Sequence, residues 1–355
     1  MTKNNPIVMR KFFDEPWVLE PGKLEEIARF IRPRMNGTAP VDIDEVFERR
    51  GEIDITPTIH ALGLDGEVVE YRGLDAFALE PGAPAGGGAV AVLPVMGVLS
   101  YRMNMMSDMS GGSSTQKLSS QFRDLVASPN ISTIMLDIDS PGGHLDGIIE
   151  LASDIRAARA TKHIVGMANT TAASAAYWLI SQADEVVVSP SGQVGAIGVF
   201  VAHTDFTEAE KMEGMKTTLI AAGRYKVEQH GTLSPEAEEY IQGQVNTIYD
   251  SFTADVARGR GIRASVVRNG FGQGRMLLAN DALAAGMVDR IEPMHSTIAR
   301  LLRGPGRRGG ARGEAVDRLD FSAELDAIDG REDGDRGIDE IEIAQAELNL
   351  TRARG

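Results

Sequence analysis

Three segments of this 355-residue chain carry residue types that could support acyl-transfer chemistry. The first is Leu136-Asp-Ile-Asp-Ser-Pro-Gly-Gly143, an apolar run that enters a tight turn. Its two glycines, Gly142 and Gly143, let the backbone turn sharply and bring N–H groups close to a ligand. Amides so placed suit the negative charge that develops on a carbonyl oxygen under attack. The second is Asn169–Trp178, where small residues crowd Ser174 on both sides. A serine at the start of a helix, at the C-terminal end of a sheet, sits where backbone N–H groups and the helix dipole favour negative charge. The third is Ala221-Ala-Gly-Arg-Tyr-Lys226, in a polar connection. A lysine serves as a general base only when burial lowers its pKa towards neutrality. Each segment also has a plainer reading: a strand–helix turn, an Ala-rich helix with Ser174 as filler, and a surface lysine.

These residues must be positioned by regular elements, and the chain predicts them in alternation. Candidate strands are Ala89–Val95, Thr133–Ile138, His163–Met167, Glu185–Val188, Ala196–Val201 and Thr217–Ile220, short and rich in Val and Ile. Between them fall helical stretches at Ser113–Ala127, Leu145–Ala158 and Ala175–Gln182. A longer helix is expected from Ser234-Pro235, with serine as N-cap and proline at the first helical position, running to about Ala257 and ending near Gly259. Strand–helix alternation of this kind predicts an α/β domain with a largely parallel sheet and flanking helices. The expected organisation is an N-terminal extension and linker over 1–88, the α/β domain over 89–295, and a tail over 296–355. The extension holds an amphipathic run at Lys23–Ile31, and a Pro/Gly-rich linker follows at Glu80–Gly88. The tail is basic at Gly304–Gly313, then acidic and poor in aromatics over Glu314–Asn349, a composition expected to be disordered.

Composition excludes several chemistries. The chain has no cysteine, which removes disulfides, thiolate metal sites and a cysteine nucleophile. His60, His163, His230 and His295 show no metal-ligand spacing, and no metal or cofactor is expected. A net charge of -15 argues against non-specific nucleic-acid binding. No apolar stretch is long enough to cross a bilayer, and the first residues lack the apolar core of a secretory signal, so no membrane anchor and a cytoplasmic location are expected.

Taken in order, the segments resemble the signal peptide peptidase A family, serine peptidases of the Clp-protease/crotonase superfamily. The resemblance rests on SPGG at Ser140–Gly143, AASAAYW at Ala172–Trp178, GQVGAIGVF at Gly192–Phe200, AGRYK at Ala222–Lys226 and the closing segment Gly274–Ile291. It implies a Clp/crotonase-like fold and a Ser–Lys dyad in which Ser174 attacks the scissile carbonyl and Lys226 accepts its proton. It also implies oxyanion donors at the N–H of Gly142 or Gly143 and of Ala175. Where many members have Gly-Gly after the nucleophile, Ala175-Ala176 stands here. Relatives of this size imply a homo-oligomer in which the serine and lysine of one site come from neighbouring subunits.

Within the family, Phe13–Pro21 resembles the start of lambda-type phage head-maturation proteases, which implies scaffold, portal and capsid proteins as substrates, with self-cleavage expected at Gly304–Gly313. Four alternatives stay open. One is a signal-peptide-degrading cytoplasmic peptidase. Another is a catalytically idle capsid scaffold. A third is a crotonase-type acyl-CoA enzyme. The last replaces Lys226 by a triad through His203 and Asp205. His144 beside the glycine turn could touch substrate, and the methionines Met103, Met105, Met106 and Met109 could line a substrate groove or a subunit contact.

Overall fold

The computed structural model describes residues 17–19, 53–63, 66–79, 88–102, 112–212 and 214–303. The amphipathic run at Lys23–Ile31, most of the Glu80–Gly88 linker, the methionines from Met103 to Met109 and the tail beyond Arg303 lie outside the described residues.

The centre is a sheet of parallel strands. β4 (Ala89–Met96) pairs in parallel with β7 (Ile131–Ser140), and β7 with β9 (His163–Ala173). The long β9 is then flanked by two short parallel strands, β10 (Glu185–Val188) along its first half and β11 (Gln193–Gly195) along its second. Antiparallel strands extend the edges. β2 (Thr58–Leu62) and β3 (Val68–Arg72) lie beyond β4, and β12 (Met276–Leu278) lies beyond β11. β13 (Arg290–Ile291) adds in parallel to β10, giving a nine-stranded mixed sheet among the described residues.

Both faces of the central strands are buried, which is why they read as nearly continuous apolar runs. Leu93, Leu136, Ile138 and Ile164 face the main core, and Val92, Met135, Val165 and Val187 face a second, smaller one. On the main side packs α2 (Thr115–Ala127), capped by the Ser114 hydroxyl accepting from the Lys117 N–H at 3.2 Å. Its buried residues, Leu118, Phe122 and Leu125, recur at helical spacing. α3 (Ile148–Ala158) follows the same rule with Ile148, Leu151, Ala152 and Ile155. The second face is covered by α9 (Met294–Arg303), through Met294, Ile298, Leu301 and Leu302.

Further along the chain, the long helix α6 (Pro235–Arg260) begins as expected and runs through Gly259, three residues past the expected end at Ala257. Ser234 accepts from the Ala237 N–H at 3.1 Å, and Gly261 closes it in the left-handed region at φ 68°. Two expected strands do not form. Thr217–Ile220 is irregular, with Ile220 97% exposed; its β-formers have no neighbouring strand among the described residues to bond with. The strand expected at Ala196–Val201 instead ends at Gly195, because Ala196 turns to φ 51° and donates its N–H to the Arg275 carbonyl.

A second sheet lies beside the glycine turn. It has four strands in the order β1-β8-β5-β6: β1 (Trp17–Leu19), β8 (Gly142–His144), β5 (Val98–Ser100) and β6 (Gly112–Ser114). None of its strands is longer than three residues, too short for a period-2 pattern to announce them.

Candidate active site

Ser174 is the single residue between the end of β9 at Ala173 and the start of α4 (Ala175–Ile180). Turning from strand to helix within one residue forces it to φ 54°, ψ -118°, a region costly for any residue with a Cβ. Two backbone bonds hold it there. Its N–H donates to the Gly195 carbonyl at 2.7 Å, and its own carbonyl accepts from the Trp178 N–H at 2.9 Å. The surrounding alanines, Ala172, Ala173, Ala175 and Ala176, are fully buried, which explains the run of small residues. Ser174 itself is 0% exposed, and its Oγ has no hydrogen-bond partner among the described residues. A buried hydroxyl left unpaired is costly and uncommon.

The same sheet register brings the glycine turn to this serine. Ser140 at the end of β7 pairs with Ala172 on β9, so Gly142 and Ser174 each lie two residues beyond one matched position. The Ser140 hydroxyl pins the turn: it donates to the Gly97 carbonyl at 2.6 Å and accepts from the Gly142 N–H at 3.2 Å. Gly142 takes φ 95°. A Cβ on Gly143 would lie 1.9 Å from the Leu99 carbonyl oxygen, so only glycine fits between β8 and β5. Ala175 occupies the first turn of α4, where N–H groups lack intrahelical acceptors.

Lys226 is elsewhere. It lies exposed in a turn, its N–H donating to the Gly223 carbonyl at 3.2 Å, beside a cleft lined by Phe206, Leu219, Val227 and His230. Arg224 and Tyr225 tie this turn to α6 through Glu236, at 3.2 and 2.9 Å. Within one chain the structure brings Gly142, Gly143 and Ala175 to Ser174 but leaves Ser174 Oγ without the Lys226 amine. Nor does the His203 triad form. His203 Nε2 bonds the Gly231 carbonyl at 2.8 Å, and Asp205 accepts from Thr207 and Thr232. His144 is the last residue of β8.

Residues to which the sequence assigned no positioning role fix α4 from behind. Trp178 stacks on Phe252 of α6 and donates Nε1–H to Asp255 at 3.1 Å, while Tyr177 donates its hydroxyl to the Met287 carbonyl at 2.9 Å. The aromatic pair directly after a run of alanines was the available signal. Among the described residues no cluster of His, Asp and Glu could hold a metal ion, and no helix is long and apolar enough to cross a membrane.

A serine strained at a strand-to-helix turn of a parallel sheet, with a glycine turn at matched register, is an arrangement suited to a nucleophilic serine. Residues 156–304, which hold both Ser174 and Lys226, match the model for peptidase family S49. The chain is 25% identical over 291 residues to the capsid assembly protease C of Escherichia phage lambda, covering 81% of this chain and 63% of that protein. It is 28% identical over 204 residues to the head-tail preconnector protein GP5 of Enterobacteria phage P21, covering 57% of this chain and 40% of that protein. Protease 4 of Salmonella typhi is 28% identical over 237 residues, covering 65% of this chain and 37% of that protein. The chain thus spans less than two thirds of the length of each.

Proposed function

We propose that the chain is a serine endopeptidase whose site is completed between copies, with Ser174 of one subunit as nucleophile and Lys226 of the neighbouring subunit as base. The observation that carries this reading is the Ser174 hydroxyl: strained into position, buried, and without a partner among the described residues of its own chain. Its complement is an exposed lysine beside the exposed apolar side chains of Leu219 and Val227, which line the same cleft. Such surface favours contact with another protein, and docking would take the amine out of water, the condition for a lysine base.

In the reaction, the neutral Lys226 amine takes the Ser174 proton as Oγ adds to the scissile carbonyl. Gly143 and Ala175 are the stronger candidates for oxyanion donors, since the Gly142 N–H already donates to Ser140. The Lys226 ammonium then protonates the departing amine, and water hydrolyses the acyl-enzyme. Neither metal nor cofactor is required.

The phage relatives favour scaffold, portal and capsid proteins as substrates, cleaved in the host cytoplasm within an assembling procapsid. In this reading residues 89–295 are the peptidase domain, with β2 and β3 of the 1–88 extension added to its sheet and α9 covering its second face, and the scaffold-like remainder of 296–355 is released at Gly304–Gly313. The test is to mix inactive Ser174→Ala with inactive Lys226→Ala. Recovered peptide hydrolysis supports a shared site. No recovery, with subunit exchange demonstrated, refutes it.

A further inference from the structure

We propose that Trp17–Leu19 is an in-chain occupant of the strand edge on which an extended peptide substrate pairs, and that it must leave before Ser174 can be acylated. The proposal rests on the peptidase reading and adds to it an internal competitor. The observation is the second sheet. β8 has β5 on one side and β1 on the other, so β1 closes an edge that would otherwise be open. The pairing is antiparallel, with Leu19 opposite Gly142, Val18 opposite Gly143 and Trp17 opposite His144. This is the strand that leaves the glycine turn at matched register with Ser174, and α4 packs directly against it.

An open strand edge beside a nucleophile recognises a peptide by adding it as a further strand, through backbone bonds that any sequence can make. Trp-Val-Leu is a run of strand formers, and Pro16 and Pro21 bracket it. Proline has no N–H to continue a ladder, which matches a strand of only three residues. A tethered segment of this kind is held by high effective concentration rather than by many bonds, so it can be displaced. Ser174 gives independent support. At 0% exposure it cannot meet a peptide carbonyl until something covering the site moves.

The test uses the full chain with Val18→Pro and Leu19→Pro together. Neighbouring residues of a strand point their N–H groups to opposite sides, so one of the two prolines removes a donor that faces β8. In a Ser174→Ala background, a fluorescein-labelled peptide with the sequence of residues 13–21 is expected to bind the double-proline chain about tenfold more tightly than the unmodified one. With Ser174 present, the double-proline chain is expected to show a KM for a peptide substrate lower by about tenfold at unchanged kcat. Equal peptide binding and equal KM overturn the proposal. A second readout needs no proline variant. Saturating peptide substrate added to the Ser174→Ala protein must speed amide exchange at Val18 and Leu19, and unchanged exchange there also overturns it. Tighter capture without hydrolysis by any Ser174-containing protein would uphold strand occupancy and remove the peptidase reading. Hydrolysis with capture and KM untouched by the prolines would do the reverse.

Discussion

Trp178 lies flat on Phe252, their ring centroids 4.4 Å apart and their planes 6° from parallel. One ring belongs to the helix that starts at Ser174, the other to the long helix α6, and the Trp178–Asp255 bond joins the same two elements. The helix that starts at Ser174 is therefore held from behind by α6. Phe252→Ala is expected to cost about 3–5 kcal/mol by leaving a cavity under α4. Trp178→Phe, which keeps a ring but loses the bond to Asp255, is expected to cost less, about 1–2 kcal/mol. Denaturant unfolding of both variants checks the order.

The strained backbone at Ser174 makes a prediction that separates stability from activity. Ser174→Gly and Ser174→Ala both remove the hydroxyl, but only glycine is at ease at φ 54°, ψ -118°. Ser174→Gly is expected to unfold at higher denaturant than Ser174→Ala, by about 1–2 kcal/mol. Equal midpoints would mean that the turn stores no strain.

Close packing of α6 on α4 predicts a second long-range effect. A Cβ on Gly259 would lie 2.1 Å from the Ser181 carbonyl oxygen, which is backbone and cannot swing aside. Gly259→Ala is expected to force the helices apart at a cost of about 1–3 kcal/mol. It is also expected to lower kcat for peptide hydrolysis, because α4 carries Ser174 at its start. Steady-state kinetics beside thermal unfolding reads both.

Asp137 gives a pH dependence. It is 7% exposed on β7, and one of its carboxylate oxygens has no hydrogen-bond partner among the described residues. Burial, with a smaller push from the Asp139 charge, raises its pKa to about 6, against the lowering effect of the Asn169 hydrogen bond. The folded chain then keeps this proton to about pH 6, while an unfolded aspartate releases it near pH 4. Stability is expected to fall as pH rises through that window, by about 3 kcal/mol for this group, and to level off above it. Asp137→Asn should remove the decline and be the more stable protein at pH 7.5. A decline that survives in Asp137→Asn would assign it to other groups.

The chain itself determined a good deal. Val- and Ile-rich runs marked β4, β7, β9 and β10 because strands buried on both faces must be apolar throughout. Ser234-Pro235 marked the start of α6 because capping is local chemistry between neighbours in sequence. Small residues around Ser174 and the glycine pair at 142–143 marked the site because close backbone approach forbids larger side chains.

What only the tertiary structure decided is whatever depends on a partner distant in sequence. Leu219 and Ile220 looked like strand residues, yet no described strand lies beside them. The three-residue strands of the second sheet carry no periodic pattern, and they exist because β5 and β8 happen to lie side by side. Register set Gly142 beside Ser174, and the same folding left Lys226 on the surface. A hydrogen bond between residues far apart in the chain depends on distances in space, and residue types alone do not carry those distances.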